Sequence, residues 1–124
     1  MNISETVKIG NMELKVKIAD TPALRELGLQ NVEKIEGYDG MLFIFQEKGI
    51  LSFWNKNTLL DLDVVWIADN EIISVEILPR ESERGRIMIS SPVEVNMVLE
   101  LPKGRASELG IIAGTSVSLA PALQ

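Results

Sequence analysis

The chain has 124 residues, with 12 Lys and Arg against 18 Asp and Glu for a formal net charge of −6, a length that buries a core as one domain without staples. It has no cysteine and no histidine. That excludes disulfides, thiolate nucleophiles, cysteine-ligated zinc, Ser-His and Cys-His dyads and the HExxH zinc helix, and the acidic balance disfavours nucleic acid, whose phosphates are held by clustered cations.

Val7 and Ile9, then Leu14, Val16 and Ile18 alternating with Glu13, Lys15 and Lys17, read as a hairpin over residues 7–18 that turns at Gly10-Asn11. Thr21-Pro22 opens a short helix, with Thr as N-cap and Pro where its missing N–H costs nothing. Leu24 and Leu27 share its apolar face and Gly28 ends it. After a turn at 37–40, residues 41–45 are continuously apolar, the pattern of a strand buried on both faces. A turn at Glu47-Lys48-Gly49 leads to a strand beginning over 50–54. Residues 62–68 and 72–78 form a hairpin around Asp69-Asn70, closed by Pro79. Residues 80–86 read as a solvated mixed-charge loop and 87–89 as a short edge strand. Val93, Val95, Met97, Leu99 and Leu101 alternate as a strand on which Glu100 faces solvent. Residues 102–109 fit a second short helix closed by Gly110, and 115–119 a last strand.

No linker, repeat or low-complexity tract divides residues 1–124. The expectation is a single mainly β domain, a small barrel or sandwich of about eight short, mostly antiparallel strands with two short helices. Nothing approaches the ~18 apolar residues that span a bilayer, so no membrane partner is expected. Residues 1–6 lack the basic-then-apolar pattern of a signal peptide, which points to a cytoplasmic address.

The most informative run is Phe53-Trp54-Asn55-Lys56-Asn57-Thr58, polar chemistry wedged between the apolar stretches 41–45 and 62–67. Other segments stand around it: Ala19-Asp20-Thr21-Pro22 with Arg25, Gly28 and Leu29; Gly40-Met41-Leu42-Phe43; Leu62-Asp63; and Val98-Leu99-Glu100-Leu101 followed by Gly104, Gly110 and Gly114. In this order they resemble the prokaryotic "domain of unknown function 192" family, from about residue 14 to residue 119. The resemblance implies a compact, mostly β fold and no assigned activity. Asn55 stands where the family usually has Met, Asp61 where it has Pro, and Gln30-Asn31-Val32 where Met-x-Arg is common. The resemblance also implies that many relatives are exported and carry cysteines in the loop matching residues 79–92. This chain has none there, in line with a cytoplasmic address.

In a strand, Trp54 and Lys56 share a face. An indole is a platform for a sugar ring or a cation, and Lys a positive point for an anionic group. Asn57 and Thr58 add donors and acceptors, and Asp63 and Arg25 are further anchors. The candidate ligand-binding set is therefore Trp54, Lys56, Asn57, Thr58, Asp63 and Arg25, a shallow site for a small molecule or carbohydrate. The same residues have a structural reading: a Lys56–Asp63 ion pair, Trp54 as a core plug, Asn57 bonding backbone in a turn, and Arg25 covering apolar surface with its stem. That reading makes the chain a structural or protein-interaction domain, monomer or homodimer through an edge near 87–89 or 115–119. A third reading takes Asp61 and Asp63 as a carboxylate pair for hydrolysis or a hard divalent cation. It lacks a nucleophile motif, and no catalytic residue, metal or cofactor is assigned. The glycines from 104 to 114 are not a phosphate loop, because no Lys-Ser/Thr pair follows them.

Overall fold

The computed structural model describes residues 4–119, so residues 1–3 of the stretch read for a leader lie outside the described residues. The elements run β1 (Ser4–Ile9), β2 (Met12–Ala19), α1 (Pro22–Leu27), β3 (Gly40–Gly49), β4 (Ser52–Trp54), β5 (Leu62–Ala68), β6 (Glu71–Leu78), α2 (Glu81–Arg84), β7 (Met88–Ser90), β8 (Val95–Pro102), α3 (Arg105–Glu108) and β9 (Val117–Leu119). Seven strands form one sheet in the order β6-β5-β8-β3-β2-β1-β9, and β4 and β7 pair as a separate ribbon. All pairings are antiparallel except β2 with β3, whose parallel register is reached through the α1 crossover. The sheet curls until its ends meet. Glu71 at the start of β6 bridges Ser116, and the Val117 N–H donates to the Asn70 carbonyl. The mainly β, barrel-like fold expected from the sequence is the fold observed.

Local chemistry explains the turns. Asp69 and Asn70 both hold positive φ (50° and 63°), the pair a two-residue I′ hairpin turn demands. Thr21 caps α1 by accepting the Leu24 N–H at 3.2 Å, and Pro22 opens the helix. Gly28 then leaves α1 at φ 51°, a conformation in which a side chain would be strained, and a Cβ there would touch the Phe43 ring.

The sheet separates two apolar clusters. All seven strands line the concave one, including Val16, Leu42, Val65, Leu99 and Val117. The outer cluster, with Phe43, Leu62, Val64, Trp66 and Val98, is covered by α1 and the β4–β7 ribbon. Each fully buried side chain of this size stabilises the fold by ~1.5–3 kcal/mol. Because both faces are covered, β5 is buried along its whole length.

Three local expectations are corrected. The turn at Glu47-Lys48-Gly49 is the end of β3, whose pairing with β8 breaks after Ile44 and resumes at Gly49 opposite Val95. The charged loop 80–86 contains the one-turn helix α2, tied down by Arg80–Asp61 and Arg86–Glu81 ion pairs. The second helix starts only at Arg105, because Gly104 before it turns the chain at φ 90°.

Candidate functional site

On β8, Met97, Leu99 and Leu101 enter the concave cluster, while Val98 and Glu100 point to the other face. Glu100 lies opposite Met41 of β3 on one side and Val64 of β5 on the other. It is 4% exposed, so the expectation that it faces solvent is overturned. The cause is the strand order: β8 is central, and its outer face is roofed by α1 and the ribbon. Gly40 lets β3 pass this close, because a Cβ there would run into the Glu100 carbonyl oxygen. Among the described residues no side chain or backbone group donates to the Glu100 carboxyl or pairs with it. Burial alone pushes that carboxyl up to about 8, keeping it protonated at neutral pH.

Glu100 lines a cavity of about 240 Å³ between the end of α1, β3 and β4. Its walls include Phe43, Phe45, Phe53 and Trp54, with Arg25 and Thr58 among the polar lining. Phe43 and Phe53 meet edge to face at 4.9 Å, and Phe53 meets Trp66 at 5.8 Å, which fixes the aromatic wall. Arg25 donates from Nη1 to the Ile44 carbonyl at 3.0 Å and lies 4.9 Å over the Phe45 ring. Thr58 is buried, and its hydroxyl donates to the Lys56 carbonyl at 3.3 Å.

Trp54 lines the cavity yet remains 43% exposed. β4 ends at Trp54, so the turn that follows, rather than strand alternation, carries Lys56 back over the indole at 5.3 Å. Arg86 approaches the same ring at 5.5 Å. Of the six candidates, Trp54, Thr58 and Arg25 thus share the cavity and Lys56 stands beside it.

Asn57 and Asp63 lie elsewhere. Asn57 holds φ 53° in the turn; its N–H donates to Glu81 Oε1 and its carbonyl accepts from Asn31. Asp63 sits on the opposite, concave face with Val65 and Ile67 and accepts the N–H groups of Gly104 and Ala106, both at 3.0 Å, at the start of α3. It borders a second cavity of about 420 Å³ beside Val75, Ile77 and Ile112. Among the described residues no ion pair joins Lys56 to Asp63. Asp61 is bound to other partners again: Arg80 donates to it from the backbone at 2.8 Å and from Nη2 at 3.0 Å, and these bonds hold its carboxyl down at about 2. Among the described residues, no group of three or more acidic side chains is arranged to hold a metal ion.

Asn55, outside the candidate set, is fully buried. Its amide donates to the carbonyls of Pro79 and Gly85 and its oxygen accepts the Ile87 N–H, all within 2.9 Å. Sequence reasoning missed Glu100 because alternation on 93–101 assigns it to the face away from the core. The available signal was the unbroken apolar run 41–45, the mark of a neighbour covered on both faces.

The family model described as DUF192, Uncharacterized ACR, matches residues 5–119. Among solved structures, a candidate transcription regulator from Sinorhizobium meliloti 1021 is 33% identical, with 95% of each chain covered and a TM-score of 0.85. A protein of unknown function from Novosphingobium aromaticivorans DSM 12444 shares the fold at 23% identity and a TM-score of 0.78, over 94% of this chain and 84% of that one. No curated protein matches the chain. Among the described residues no helix is long and apolar enough to cross a membrane.

Proposed function

The chain belongs to the DUF192 family, and from that premise we propose that it is a small-molecule-binding protein whose site is the cavity under α1. The observation that carries this reading is Glu100, a buried carboxyl with no partner among the described residues, at a cavity walled by aromatic rings. Burying a polar group without a hydrogen bond is costly, and such groups concentrate where a ligand completes them. Trp54 supplies an accessible platform, Thr58 and Arg25 polar anchors, and Lys56 a charge beside the indole. Asn57 and Asp63 have structural roles in this reading, since the Asn57 backbone is bonded to Glu81 and Asn31 in the turn and the Asp63 carboxylate to the start of α3. One solved relative is described as a candidate transcription regulator. With a net charge of −6, this chain fits sensing a small molecule better than gripping phosphates.

A thermal-shift screen against sugars, organic acids, amines and nucleotides tests the proposal. A ligand at ~100 times its dissociation constant adds about 2.7 kcal/mol, a shift of several degrees at this size. A saturable hit that disappears in Trp54→Ala while the variant keeps its own melting transition supports it. A flat screen contradicts it and favours the interaction-domain reading.

A further inference from the structure

Building on the cavity as a ligand site, we infer that its ligand is a small organic cation, a protonated primary amine whose ammonium group docks on Glu100. Protonated, the Glu100 carboxyl has one O–H to give and still accepts; ionised, it only accepts; in either form nothing among the described residues donates to it. Thr58 spends its proton on the Lys56 carbonyl, which leaves its oxygen lone pairs to accept. The inner polar groups of the cavity therefore ask for a donor. The other charged side chains lining it, Arg25 and Glu26, both come from α1. Arg25 is held by the Ile44 carbonyl and the Phe45 ring rather than by Glu100.

The walls choose among donors. Phe43 and Phe53 offer π systems that attract a cation, whereas the Trp54 ring is already approached by Lys56 and Arg86. A neutral hydroxyl compound gains less from the phenyl rings, and an anion meets Glu26 and the negative net charge. The nearby cations are already engaged, Arg25 by the Ile44 carbonyl and the Phe45 ring, Lys56 and Arg86 by the outer Trp54 ring. An ammonium brings three donors and the charge that lets Glu100 ionise within a buried pair. At about 240 Å³ the space is below the ~300 Å³ of ordinary drug-sized sites, so the ligand is an amine with one small apolar group.

Benzylamine and its neutral isostere benzyl alcohol test the idea by titration into the 15N-labelled protein at pH 7. The expected result is saturable movement of the Phe43, Phe53 and Glu100 amides with benzylamine, at least tenfold weaker with benzyl alcohol. Glu100→Gln is expected to weaken benzylamine at least tenfold and leave benzyl alcohol unchanged. Equal affinities for the two probes in the wild-type protein, a comparison that needs no variant, overturn the amine assignment while the cavity stands as a ligand site. Undiminished benzylamine binding in Glu100→Gln does the same. If neither probe moves these amides, the amine assignment falls, and the thermal-shift screen decides the cavity reading separately.

Discussion

Asp61 and Glu100 are the same chemical group in opposite circumstances. Asp61 receives three bonds from Arg80 and is held ionised; Glu100 receives none from the described residues and is held protonated. The linkage has opposite signs. Asp61 adds stability that is present above the ordinary Asp range and is lost as pH falls through about 2. Glu100 adds stability that is full below the ordinary Glu range and drains away as pH rises to about 8, levelling off above it. Glu100→Gln is therefore expected to unfold at higher urea than wild type at pH 9, with the difference shrinking towards pH 4. An unchanged difference across that range contradicts the assignment. Asp63 is a third case, a carboxylate used as a remote cap for α3. Asp63→Ala leaves two N–H groups with little access to solvent unpaired and is expected to cost about 2 kcal/mol in urea unfolding. Benzylamine affinity is expected to stay unchanged, because Asp63 is on the other side of the sheet.

At the scale of elements, the segment from Pro79 to Ile87 is held by two polar residues from outside it, Asn55 and Asp61. Asn55 binds it at three points and Asp61 grips Arg80 at its start. A buried amide and an ion pair supply the restraint on this segment. Asn55→Ala is expected to destabilise the protein and to speed exchange of the Ile87 amide more than that of amides in β5, as hydrogen–deuterium exchange would show. Uniform acceleration would mean that Asn55 acts on the whole fold. This network was not legible in the sequence. Asn55 lies 24 to 32 residues from its partners, and a lone Asn after a strand carries no mark of such contacts. Both hairpins were legible, because Gly10-Asn11 and Asp69-Asn70 are local turn chemistry flanked by alternating residues. So was α1, with its Thr-Pro start and glycine end.

For the whole molecule, strand order decides what composition cannot. Alternation marks Leu99 and Leu101 as core, as they are, but says nothing of what lies over the reverse face of β8. Placing β8 between β3 and β5 and folding α1 and the ribbon over the outer cluster turns Glu100 from a surface charge into a cavity lining. The same topology puts Asp63 and Trp54 on different sides of the sheet, although only nine positions separate them. Three of the six candidate residues, from α1, β4 and the turn after it, meet at the cavity that Phe43, Phe45 and Phe53 also line. The central claim is that Glu100 is a buried carboxyl, without a partner among the described residues, for a ligand to complete. Its most direct test is a 13C titration of the Glu100 side-chain carboxyl, in the free protein and with saturating benzylamine. The account predicts a midpoint near 8 in the free protein, lowered when the amine is bound. A midpoint near the ordinary Glu value of about 4.3 in the free protein would contradict it.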